Sequence, residues 1–61
     1  MIKLSWKVDE KGDQIAIAPN GQYRVTCEGD SAYRLRFAGY PIALAATQRA
    51  AKDYASIHVN R

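Results

Sequence analysis

The chain is poor in the residues from which small domains build covalent or metal cross-links. Cys27 is its only cysteine and His58 its only histidine. An intramolecular disulfide cannot form, and a zinc site lacks the thiolate and imidazole ligands it needs. No metal and no cofactor is expected. The longest apolar stretch, around Pro41 to Ala46, is far shorter than the ~20 residues that span a bilayer. The first residues, Met1 to Lys7, hold no long apolar run before a small-residue cleavage site, so no signal peptide is expected. A lone cysteine without an export signal favours a reducing cytoplasm. No phosphate-cradling glycine motif occurs. Gly12, Gly21, Gly29 and Gly39 each fall where a strand must turn.

The 61 residues suffice for one domain with one modest core. Net charge is +3 and the pI about 9.3, a mild basic excess compatible with an anionic partner. Composition is ordinary for a globular protein, with 48% apolar and 25% charged residues, which argues against disorder.

The first two-thirds of the chain has a period of two and the last third a helical period. Leu4, Trp6 and Val8 alternate with Lys3, Ser5 and Lys7, which predicts a first strand. Asp9 to Asp13 reads as a solvated turn. Its acidic residues do not match the ligand spacing of a calcium loop. Ile15 and Ile17 predict a second strand with the isoleucines inward. Pro19-Asn20-Gly21 predicts a three-residue hairpin loop that sets Ile17 beside Tyr23 and Ile15 beside Val25. Tyr23, Val25 and Cys27 then face inward on strand three, and Tyr33, Leu35 and Phe37 on strand four. A three-residue turn, Gly29 to Ser31, pairs Cys27 with Tyr33, Val25 with Leu35 and Tyr23 with Phe37. Ile42 and Leu44 can add a short fifth segment that closes the core. Thr47 is an N-cap candidate for a helix over Gln48 to His58. Ala50, Ala51, Tyr54, Ala55, Ile57 and His58 form its apolar stripe, and Val59 to Arg61 are expected to fray. The fold class is therefore α+β: a single domain over residues 1–61, with a four-stranded antiparallel meander packed on one C-terminal helix.

Chemistry-bearing residues are few. Cys27 reads as a small inward hydrophobe and His58 as a residue complementing the helix C-terminus. Helix packing leaves a Cys27–His58 dyad open, but the expectation is a protein without catalysis. The outer sheet face is more informative. It is predicted to present Arg24, Arg34 and Arg36 with Lys3 and Lys7 as a rim, and Arg24 would lie opposite Arg36. Opposed like charges are unfavourable, and either Glu28 or an acidic partner would relieve them. The aromatics Trp6, Tyr23, Tyr33 and Phe37 fall on the inward face, which weakens a base-stacking role. Tyr40, in the loop beside Pro41, is a further contact candidate.

Trp6, Gly12, Ala16, Gly21-Gln22-Tyr23, Tyr33-Arg34-Leu35 and the closing Ala50-Ala51-Lys52 to His58 resemble short proteins encoded by phages and prophages. That resemblance implies one antiparallel sheet with one helix. It also implies a protein that binds and blocks, as some proteins of this size class do to host defences, CRISPR systems included. It brings no functional residue with it. The expected function is a small protein-binding module, an accessory or anti-defence inhibitor acting in the host cytoplasm by occluding an acidic surface. A phosphate-directed nucleic-acid binder using the same face is one alternative. A homodimer paired through an open strand edge is the other. No membrane partner is expected.

Overall fold

The computed structural model describes residues 1–61. Five strands form one antiparallel sheet in the order β1-β2-β3-β4-β5: Lys7–Val8, Gln14–Ala18, Gly21–Gly29, Ala32–Phe37 and Tyr40–Ala45. Helix α1, Gln48–Val59, covers one face. The fifth segment is thus a full strand of six residues. The first is shorter than its alternation suggests, because Leu4 and Trp6 leave the sheet and pack against the core.

The β3–β4 register is the predicted one. Tyr23 pairs with Phe37, Val25 with Leu35, Cys27 with Tyr33 and Arg24 with Arg36. The turn itself differs. Gly29 pairs with Ala32 around a two-residue Asp30-Ser31 turn, and Glu28 sits at a bulge that absorbs the extra residue. Cys27 is exposed here, not inward in the core. It lies near the end of β3, and its thiol contacts the Gly29 carbonyl at 3.4 Å.

The second strand departs further from the sequence expectation. Ala18 pairs directly with Gly21, so the β2–β3 loop has two residues, Pro19 and Asn20. One residue fewer inverts the face of a strand. Ala16 and Ala18 are buried, whereas Ile17 is 79% exposed and Ile15 half-buried beside Arg24. The physical reason is space. Gly21 (φ +155°) lies against the Phe37 ring so closely that a Cβ would stand 2.8 Å from it. The Phe37 ring packs at a tilt against Tyr23, centroids 4.7 Å apart, and Tyr23 is fully buried opposite Ala16. Small alanines fit beneath this aromatic layer together with Leu4 and Trp6.

Thr47 caps the helix, its Oγ1 accepting the Ala50 N–H at 3.0 Å. Ala51, Ala55 and Val59 are its buried residues, one turn apart. Ala50, Tyr54 and Ile57 are exposed, so the buried stripe is narrower than predicted. The last residues do not fray as expected but are tied down. Asn60 accepts the Ile2 N–H at 2.7 Å and donates to the Ile2 and Ser56 carbonyls. His58 Nδ1 lies 2.6 Å from the Tyr23 hydroxyl, whose pKa is raised by burial. Lys52 sits over Trp6, 5.5 Å from the ring centroid. No helix is long and apolar enough to cross a membrane.

Candidate functional site

Helix and N-terminal segment together cover the inner face, so the opposite face of the sheet is free. Strand alternation and register assign its residues. One row runs Lys7, Ile15, Arg24, Arg36, Pro41, and the next runs Thr26, Arg34, Leu44. Arg24, Arg34 and Arg36 are brought together as predicted, each with about a third of its side chain exposed (33%, 31% and 32%). Tyr40 is not on this face: it is the first residue of β5 and not in a loop, 74% exposed, and it pairs with Phe37 in the inward row. Lys7 is exposed at the β1 edge of the face. Lys3 is not on this face. It belongs to the N-terminal segment and lines a groove with Ile57, Asn60 and Arg61, on the side of the helix.

The arginines do not stand as bare charges. Arg24 Nη1 donates to the carboxylates of both Asp9 and Asp13. The Asp9 carboxylate also accepts the Lys11 and Asp13 N–H groups at 2.9 Å, which folds the β1–β2 turn around the guanidinium. The acidic turn is therefore an arginine clamp and not the solvated loop its composition suggests. Arg24 holds the Asp9 carboxyl below its ordinary pKa against the opposing effect of desolvation. Asp9 and then Asp13 push the Arg24 guanidinium upward in turn. On the other side, Glu28 accepts from Arg34 Nε at 2.8 Å and from Arg36 Nη2 at 3.4 Å. Its pKa is lowered, chiefly by the Arg34 hydrogen bond. Arg36 Nη1 also reaches the Thr26 hydroxyl at 3.4 Å.

The stoichiometry polarises the face. At Arg24 one guanidinium meets two carboxylates, whereas at Glu28 two guanidiniums share one. Positive charge in excess of its local partners thus lies at Arg34 and Arg36, and the Arg24 end is over-neutralised. Between Arg24 and Arg36 lies a recess of about 310 Å³, lined also by Gln22, Ala38 and Gly39. Exposed apolar side chains flank the network: Ile17 on β2 and Leu44 on β5 (79% and 59% exposed). Neither is evident from the sequence. Ile17 is hidden by the inversion of its strand, and the alternation of Leu44 with its neighbours points it toward closing the core. No family model, no curated protein and no solved structure matches the chain.

Proposed function

We propose that this domain is a non-catalytic module that binds another protein through the outer face of its sheet. The observation that carries this reading is the pairing of every guanidinium on that face with a carboxylate of the same chain. A face built to track phosphates gains its affinity from unneutralised charge and counterion release. Here a phosphate approaching Arg24 would also approach Asp9 and Asp13. A protein surface tolerates such a mixed network and uses it for register and specificity. Arginines centred between exposed apolar residues are also the composition of protein-binding hot spots. Within the face, Arg34 and Arg36 are the primary contacts, since their shared Glu28 leaves room for a carboxylate of the partner. Ile17 supplies the apolar anchor and Lys7 the rim. The biological role in keeping with the phage-protein resemblance is occlusion of a host defence complex in the host cytoplasm.

A nucleic acid is the alternative partner. The observation in its favour is the recess between Arg24 and Arg36, with Gln22 as a further donor. Capture from host cytoplasm separates the two. The parent chain should retain one discrete protein complex. Arg34→Ala/Arg36→Ala and Ile17→Glu should each release it, while Arg24→Ala should weaken it less. Binding to labelled duplex or single-stranded nucleic acid should be negligible. If the chain instead binds nucleic acid with affinity falling about 10²-fold between roughly 50 and 200 mM salt, as about four phosphate contacts would give, the protein-binding reading is wrong.

A further inference from the structure

We infer that a second copy of this chain docks along the β5 flank, pairing the two β5 strands antiparallel about a two-fold axis and laying the helices side by side. β5 hydrogen-bonds to β4 alone, so its far side presents unpaired backbone donors and acceptors. Proteins blunt such edges with charge, proline, bulges or short length. The other edge, β1, is two residues long and carries Lys7. β5 has Pro41 and a bulge at its beginning, but from Ala43 onward it has neither. From Tyr40 to Thr47 the chain contains no charged residue at all. A two-fold contact brings the same patch of both copies together, so an edge charged with one sign would repel itself and this uncharged one does not.

The layer above the edge is also unpartnered. Lys52 contacts Trp6 and Asn60 contacts Ile2, which places the N-terminal segment on one flank of the helix. At 100° per residue, Ala50 and Tyr54 lie on the opposite flank, toward β5, and both are exposed. Leu44, at the β5 margin of the outer face, and Tyr54 and Ala50, on the helix flank of the inner face, thus bracket the open edge with apolar surface from both sides. The dimensions fit. The six-residue edge spans roughly 20 Å and the 12-residue helix about 18 Å. A contact about 20 Å long and as deep as the 18 Å dimension of a body measuring 31 × 23 × 18 Å covers about a tenth of its surface. Of 4249 Å² that is roughly 450 Å² per partner, a small interface of the kind that forms weak, concentration-dependent dimers. The chain also has reason to use it: only eight of its residues are buried, and four of those are alanines.

Light scattering coupled to gel filtration, across roughly 1 μM to 1 mM, covers the range in which an interface of this size dissociates. The parent should rise to twice the 6.8 kDa chain mass. Leu44→Lys and Tyr54→Lys should each hold it at the monomer mass, with circular dichroism unchanged. Ile17→Lys, the same change on the outer face away from β5, should leave the dimer intact. A monomer at every concentration overturns the inference. So does a dimer broken by Ile17→Lys but not by Tyr54→Lys, which would move the contact to the outer face. Neither readout depends on which partner the outer face binds.

Discussion

Replacing Gly21 with alanine tests the packing that inverts β2. Two effects act on the added methyl. The first is backbone strain, since Gly21 has φ +155°, a conformation side chains disfavour, which costs about 1–3 kcal/mol. The second is collision, because the new Cβ would lie 2.8 and 2.9 Å from two atoms of the Phe37 ring. That ring cannot retreat freely, being packed on Tyr23 at 4.7 Å and His58 at 5.3 Å. Overpacking of this kind costs about 1–3 kcal/mol more. Gly29 separates the two. It has nearly the same φ, +151°, but a Cβ there would meet nothing within 4 Å. Gly29→Ala should therefore show the strain alone, about 1–3 kcal/mol, and Gly21→Ala about 2–6 kcal/mol. For 61 residues total stability is expected at about 3–9 kcal/mol, so Gly21→Ala should bring the domain close to unfolding. Urea titration followed by Trp6 fluorescence measures both. Adding Phe37→Leu to Gly21→Ala should recover part of the loss in a double-mutant cycle. Equal losses for the two glycines, or no coupling to Phe37, would refute the packing account and with it the reason given for the alanine face of β2.

Three further perturbations have defined outcomes. Ala38 has φ +52° and Gly39 φ +88°, the pattern of a type I′ turn, so Ala38→Gly should raise stability by about 1 kcal/mol in the same titration. Tyr23→Phe should cost about 1 kcal/mol by removing the hydroxyl bonded to His58 Nδ1, with little change in packing. Asp9 has a folded pKa depressed below its ordinary value of 3.8, so its contribution is present above that value and is lost as pH falls through the lower folded one. The stability gap between parent and Asp9→Asn should accordingly be constant near neutrality and shrink below about pH 4, toward closure at the acid end of a denaturation series. A gap unchanged across that acid range would show that Asp9 acts by turn geometry and not by its charge.

The parts legible in the sequence are those where two independent signals agree. Strands β3 and β4 both alternate and their apolar residues match in pairs, so the Arg24–Arg36 and Tyr23–Phe37 pairs follow from pattern, even though the turn is tighter than expected and a bulge at Glu28 takes up the difference. In β2 the signals conflict. Hydrophobicity draws Ile15 and Ile17 inward, whereas the two-residue loop, with Gly21 pressed against the Phe37 ring, turns Ala16 and Ala18 inward instead. Phe37 lies some twenty positions away, so no local pattern reports that contact. The place of Lys3 is hidden for a related reason: alternation continues through Trp6, but Trp6 and Leu4 peel off to cover the core. Cys27 follows the inward pattern but lies beyond the helix-covered part of β3. The arginine row is legible and its Asp9 and Asp13 clamp is not, because those contacts span 15 and 11 residues and arise from the fold of the β1–β2 turn.

The outer face is hard to account for by stability alone. Arg24 opposite Arg36 is an unfavourable cross-strand pair. Carboxylates offset it, but ion pairs about a third exposed contribute only ~0–1 kcal/mol each after side-chain ordering and screening. Threonine or valine at these positions would suit a solvated sheet at least as well. Ile17 likewise gains nothing from 79% exposure. What the arrangement does achieve is rigidity at fixed positions: each guanidinium is held before a partner arrives, so less side-chain freedom is lost on binding. The uneven sharing at Glu28 then favours a carboxylate arriving at Arg34 and Arg36 over one arriving at Arg24. Removing the charge at Glu28 isolates this effect. Glu28→Gln should leave folding nearly unchanged in a urea titration, since the pairs it breaks are weak. It should raise affinity for an acidic partner, because it frees both arginines, whereas Asp13→Asn beside Arg24 should leave affinity almost unaltered. Equal gains from the two substitutions in a titration against that partner would mean that the face binds by its net charge and not by the uneven sharing at Glu28.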